Sequence, residues 1–195
     1  MKTAVCSYWH TTLVAQAAPL SSLRYLRPAF LPLGKGPHPL WWTCGSSSSA
    51  VRSATVQAKM LSGRYRSCWL RRHWTDESGA CRLPGCGAVP GDVAHLLSAE
   101  CPALKPHLAT TLHHLQNILS LHPHLLPPVQ NALNSDREAA TSFLLDPSTD
   151  PQVILLCQRL GQGPVLGPLF QFCRAWVWSA QRARMRLLGL EQFLL

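Results

Sequence analysis

The stretch CRLPGCGAVPGDVAHLLSAEC, residues 81–101, holds three cysteines and a histidine, Cys81, Cys86, His95 and Cys101, spaced C-x4-C-x8-H-x5-C. Three thiolates and an imidazole are the ligand set of a closed tetrahedral Zn2+ site, because soft sulfur and borderline nitrogen suit a d10 ion with no geometric demand of its own. The residues between the ligands fit that chemistry. Pro84 and Gly85 stand where a tight turn must bring two sulfurs to one side, and glycine supplies the backbone angles such a turn needs. Asp92 reads as the N-cap of a short helix from Val93 to Glu100, with His95 on its first turn, Cys101 at its end and Pro102 as its stop. Four ligands leave no open position, which points to a structural metal rather than a Lewis acid awaiting a substrate. Spacing alone leaves a plainer reading open, three ordinary thiols and a surface histidine, since cysteine is common in protein cores.

Outward from this knuckle the pattern is helical. A helix interrupted by Pro19 is expected within residues 1–30, followed by LPLGKGPHPLWWTCG, whose prolines and glycines exclude regular structure and whose Trp41 and Trp42 are expected over an apolar surface. The serines at 46–49 supply an N-cap for a helix running to Gly63, with Val51, Ala54, Ala58 and Leu61 on one face. After the knuckle, Leu108, Leu112, Leu115 and Leu119 repeat with helical period up to His122-Pro123-His124 and Pro127-Pro128, which end the segment. Ser135 starts a helix toward Leu145, and Asp150-Pro151 starts another that closes at Gly161 to Gly163. Leu166, Leu169, Phe170, Cys173, Trp176, Val177 and Ala180 predict a long last helix, with Arg174, Gln181 and Arg182 largely on its other faces. The fold class expected is mainly α: an irregular helical domain with a small CCHC zinc-binding knuckle and long Pro/Gly-rich loops. Three segments divide it, 1–46, 47–104 and 105–195.

The chain has 195 residues, a net charge of +9 and an isoelectric point near 9.5, which favours polyanionic partners. Seven basic residues, Arg52, Lys59, Arg64, Arg66, Arg71, Arg72 and Arg82, cluster beside the metal motif, interleaved with Tyr65, Trp69 and Trp74. Basic groups neutralise phosphates and release counterions, and aromatic faces stack on unpaired bases, so Arg64, Arg66, Arg71, Arg72, Tyr65 and Trp69 are the candidate RNA- or DNA-binding residues. A solvated helix face with the aromatics in the core is the alternative. Arg182, Arg184 and Arg186 make a second basic cluster, and His113, His114, His122 and His124 read as surface and turn histidines.

The run from Met60 to Leu104 resembles the region that follows the reverse transcriptase of non-LTR (long interspersed) retrotransposons, most of all the versions abundant in fish genomes. The matching residues are Leu61, Gly63, Arg64, Tyr65, Cys81, Cys86, His95, Leu96, Leu97, Cys101 and Pro102. Less specific likeness extends through Tyr8-Trp9-His10 and Ser21-Ser22-Leu23-Arg24-Tyr25 and, near the end, Arg174-Ala175-Trp176. The resemblance implies a detached C-terminal portion of a polyprotein, partnered by RNA or DNA and by the rest of that polyprotein.

A polymerase of that family needs an aromatic-x-Asp-Asp site, and no two aspartates are adjacent here. Nine scattered acidic residues offer no carboxylate cluster for two-metal phosphoryl transfer, so no enzymatic activity is expected. A zinc hydrolase would need an open coordination position and a general base, for which Glu100 is the only nearby candidate. A scaffold that braces the missing polymerase, or a non-functional remnant, is the alternative to nucleic-acid binding. Ser7, Tyr8, His10 and two threonines interrupt the apolar start before any secretion signal forms, and no apolar run reaches the roughly 18 residues of a membrane span. A reducing cytoplasmic or nuclear setting is therefore expected, with no membrane partner, with Cys6, Cys44, Cys157 and Cys173 as isolated buried thiols and Cys68 as the one cysteine near enough to compete as a ligand.

Overall fold

The computed structural model of the chain describes residues 38–65, 67, 78–98 and 100–190, with positions 8, 11, 12, 15, 16 and 25. The helix expected in residues 1–30, Cys6, Cys68, Trp74 and four of the six candidate nucleic-acid residues, Arg66, Trp69, Arg71 and Arg72, lie outside these or largely so. The described residues are mainly helical and contain no strand. In chain order the helices are α1 (Pro39–Trp42), α2 (Ser48–Leu61), α3 (Val93–Leu97), α4 (Lys105–Leu121), α5 (Leu126–Leu133), α6 (Arg137–Leu145), α7 (Pro151–Leu160) and α8 (Gln162–Leu187), with 3-10 turns at Pro123–Leu125 and Pro147–Thr149.

Helix α8 is the axis of the molecule. Its side chains from Val165 to Val177 are buried on nearly every face, among them Leu169, Phe170, Phe172 and Cys173, and α1, α2, α3, α4, α6 and α7 all pack on it. A helix apolar all round must lie inside, and each large side chain taken from water there contributes about 1.5 to 3 kcal/mol. That burial explains how α8 runs through Pro168, whose ring removes one helical hydrogen bond. One core unites side chains from all three sequence segments, for example Leu40, Met60 and Leu97, and Leu108 and Phe170.

The caps follow the sequence. Ser47 accepts from the Ala50 amide ahead of α2, Asp136 from Glu138 and Ala139 ahead of α6, and Asp150 from Gln152 and Val153 ahead of α7. Several expectations change. The α6 cap is Asp136 and not Ser135, because its carboxylate reaches two of the amides that the helix leaves open. Pro127 and Pro128 open α5 instead of merely ending α4: in the first turn a missing N–H costs nothing. Gly163 lies within α8, and only Gly161, at φ +86°, interrupts the chain. The segment around Trp41 is not wholly irregular, since His38 and Pro39 start the one-turn helix α1 and bury Leu40 while both tryptophans stay about half exposed. On α2 the inward face is Ser53, Ala54, Gln57, Met60 and Leu61, and Val51 is exposed. Gln57 is held there by donating to the Leu144 and Leu145 carbonyls at the end of α6.

Arg174 is the largest departure. It was expected on an outer face, yet it is buried, and its guanidinium donates to the Thr43 hydroxyl at 2.9 Å and to the Thr43 carbonyl at 2.8 Å. His38 at the other end of α1 lies 3.1 Å from buried Asp146. Both ends of α1 are thus pinned to the body.

Candidate metal centre

Residues 79–91 fold back on themselves through three backbone hydrogen bonds, Cys81 N–H to Ala88, Cys86 N–H to Leu83 and Gly91 N–H to Gly79. The middle bond closes a tight turn across Leu83-Pro84-Gly85-Cys86, with proline at its second position and Gly85 at φ +70° at its third, the arrangement a type II turn requires. The turn carries Cys81 and Cys86 to one side. Gly91 closes the loop against the first ligand: a Cβ there would stand 2.7 Å from the Cys81 backbone nitrogen, so only glycine allows this approach.

Asp92 caps α3, its carboxylate accepting from the His95 amide at 2.9 Å. The helix is shorter than expected, ending at Leu97 rather than Glu100. The Trp176 indole of α8 donates to the Leu97 carbonyl at 3.0 Å and occupies the acceptor that a further turn would use. The freed chain turns, and Cys101 enters α4 through its carbonyl, which accepts from Leu104 and Lys105.

These elements bring the four sequence-predicted ligands together. The Cys81, Cys86 and Cys101 sulfurs and a His95 ring nitrogen all lie within 4.8 Å of one another, and Cys86 Sγ is 3.2 Å from His95 Nε2. A tetrahedral ion with bonds of about 2.3 Å to sulfur and 2.0–2.1 Å to nitrogen sets its ligand atoms about 3.5 to 3.8 Å apart, so the donor atoms converge to near the spacing such an ion imposes and need only small shifts to hold one. Cys101 and His95 are buried and the other two half-buried. Burial is the first reason that the Cys81 thiol is pushed up to about 12, with the neighbouring thiols adding to it, and Cys101 rises for the same causes. Burial also lowers the His95 imidazole, aided by Arg137 and opposed by Asp92 and Glu100, which keeps its nitrogen free to coordinate. A cation bound here would reverse the cost to the thiolates.

One residue at this centre carries no local signal in the sequence. Arg137, at the start of α6, lies 3.5 Å from Asp92 and 3.4 Å from Glu100, the carboxylates flanking His95 and Cys101. It ties the knuckle to the helical body. The four histidines at 113, 114, 122 and 124 join no metal-ligand cluster among the described residues, where the Cys81, Cys86, His95 and Cys101 group is the one found.

Of the candidate nucleic-acid residues, Arg64 is exposed. Tyr65 stands inside instead: it is buried beside the knuckle, donates its hydroxyl to Gln181, accepts from Arg184 at 2.8 Å, and has the Arg184 guanidinium 5.5 Å over its ring. Its face is covered and cannot serve as an open stacking platform. Cys173 is buried, whereas Cys44 and Cys157 are only half-buried. No helix among the described residues is long and apolar enough to cross a membrane. No family model, curated protein or solved structure matches the chain.

Proposed function

We propose that the chain is a non-catalytic, zinc-braced nucleic-acid-binding module, derived from the C-terminal region of a non-LTR retrotransposon polyprotein, working in the cytoplasm or nucleus. The observation that carries the metal half of this reading is the convergence of three sulfurs and one ring nitrogen within 4.8 Å. Three thiolates and one imidazole favour Zn2+ among divalent ions, and with all four positions supplied by protein the ion holds the knuckle rather than activating a water. The Cys81 to Cys101 loop would supply the ligands, with Arg137 and Asp92 orienting them.

The nucleic-acid half is supported by the net charge of +9 and by the arginines that continue from Arg64 into Arg66, Arg71 and Arg72. Two measurements test the halves separately. Elemental analysis of reduced, folded protein should find one zinc per chain; folded protein with no metal would sink the first. Replacing Arg64, Arg66, Arg71 and Arg72 by Ala should weaken RNA and DNA binding across sequences and flatten its salt dependence, since each lost phosphate contact removes about 0.9 from the log-log slope on duplex and about 0.7 on single strands. An unchanged slope would favour a bracing role against the rest of the polyprotein.

A further inference from the structure

The net positive charge of this chain is confined to one part of it. Ten Lys or Arg residues and no Asp or Glu precede Asp76, whereas the remainder carries eight basic and nine acidic residues. The whole excess of positive charge therefore belongs to the first 75 residues, and the helical body beyond them is close to neutral. Segregation of this kind gives one region of the chain a field that draws in polyanions while the rest carries no net positive excess.

Within that basic region, α1 presents Trp41 and Trp42, 43% and 44% exposed. Their neighbours are fixed. Leu40 is 1% exposed, His38 reaches Asp146, and Thr43 receives two hydrogen bonds from buried Arg174. The backbone beneath the indoles is thus anchored at both ends, so little ordering entropy is left to lose when something docks on them. Consecutive helical positions do not face each other, and the two rings offer separate surfaces rather than stacking together. The adjacent helix α2 packs on α1 and adds exposed Arg52 and Lys59.

Resting on the nucleic-acid reading above, we infer that Trp41 and Trp42 form a stacking platform for unpaired bases of a single-stranded nucleic acid, with basic side chains of the first 75 residues meeting its phosphates. The combination of aromatic faces and basic groups with no carboxylate nearby in sequence is what a single strand requires: every base has a π-face, and every phosphate a charge. A protein partner docking through two indoles gains nothing from the absence of acidic residues over 75 positions; a polyanion does. The platform is distinct from Tyr65, whose ring is covered by Arg184.

The test titrates the full chain with a labelled single-stranded RNA oligonucleotide of mixed sequence and with the matching duplex. In the Trp41→Ala/Trp42→Ala double variant, single-strand affinity should fall by about 10- to 100-fold, with duplex affinity and the salt slope little changed, because bases in a duplex are already stacked and no phosphate contact is lost. Phenylalanine at both positions should restore most of the affinity. Equal single-strand binding by the parent and a folded double variant overturns the inference while leaving the nucleic-acid reading intact. A parent chain that binds neither oligonucleotide overturns both. Hydroxyl-radical footprinting of the unmodified protein keeps the inference testable should the alanine variant fail to fold: Trp41 and Trp42 should gain protection on adding the RNA, and unaltered oxidation overturns it. Protection that grows with protein concentration in the absence of RNA would assign the face to a second copy and overturn it too.

Discussion

At Gly91 a single hydrogen atom in place of a methyl group decides where the first metal ligand lies. A Cβ would meet the Cys81 backbone at 2.7 Å and 2.9 Å and the Ala80 carbonyl carbon at 2.9 Å, none of which is the flexible end of a side chain. Gly91→Ala must therefore push the backbone of Cys81 away, and zinc affinity, measured by competition with a chromophoric chelator, should fall about tenfold or more, the scale on which disturbed supporting contacts act. Equal affinity would show that the loop 79–91 yields freely. The thiols themselves set a pH dependence. In the metal-free protein Cys81 is raised from 9.0 to about 12, mainly by burial, so the folded chain holds that proton more tightly than the unfolded one. The resulting stability is fully present below about pH 9 and is lost as pH rises toward about 12. Thermal melts of chelated protein should drop through that alkaline window, and those of zinc-loaded protein, whose thiolates have already released their protons, should lack this component. Parallel pH curves would count against a thiol buried in this way. The convergence of the four donor side chains was legible in sequence because they sit in one short loop with its own turn and cap, whereas Arg137 and Trp176 act on that loop from distant helices and leave no local trace.

At the scale of elements, α3 shows how little of a helix the knuckle needs. It spans five residues, too few to persist alone, and three contacts hold it: the Asp92 cap, the Arg137 ion pairs and the Trp176 indole on its last carbonyl. These contacts differ in strength. Glu100 is well exposed, and an exposed ion pair contributes about 0 to 1 kcal/mol, whereas Asp92 is buried and also satisfies the His95 amide. Asp92→Ala should therefore destabilise the protein by about 1 kcal/mol through the cap alone, and more through the loss of its pair with Arg137, which keeps only exposed Glu100; Glu100→Gln should change the melting curve hardly at all. Equal effects from the two would mean that charge around the site, not the cap, holds α3. Helix starts were readable wherever a capping side chain precedes an apolar repeat, as at Ser47 and Asp150. Faces were harder. Val51 and Arg174 exchanged their expected places because periodicity gives the spacing of a stripe but not which neighbours close over it, and Thr43 supplies the carbonyl that makes a buried guanidinium tolerable. Pro127-Pro128 was ambiguous for a different reason, since the same prolines that end one helix are suited to the first turn of the next.

For the whole molecule, the Cys/His cluster and the hydrophobic core meet along α8, and with zinc bound as proposed they would be two separate sources of order. Structural zinc contributes on the order of 10 to 16 kcal/mol of apparent binding free energy, comparable with the roughly 5 to 15 kcal/mol by which an entire domain is stable. Chelation thus removes enough to unfold whatever the metal alone supports. How far the loss spreads depends on what else each region buries. The described residues between 79 and 101 bury few large side chains besides Leu83, Leu96 and Leu97 and have no secondary structure but α3, so on the zinc reading their order would depend on the ion. Helices α6, α7 and α8 instead share a core of Phe143, Leu144, Leu145, Val153, Leu169, Phe170 and Phe172, none of which is a metal ligand. Treating reduced protein with a strong chelator should then abolish amide protection through residues 81–101 while amides of α6 and of α8 from Leu169 to Val177 keep theirs, with only a small loss of far-ultraviolet helical signal. The Trp176 indole, having lost its bond to Leu97, should become accessible to quencher, which gives a second readout at the boundary between the two regions. Hydrogen exchange read by mass spectrometry separates the outcomes. Loss of protection through α6 and α8 together would show that the knuckle nucleates the core rather than being attached to it, and full retention at residues 81–101 would show that the loop stands without its metal.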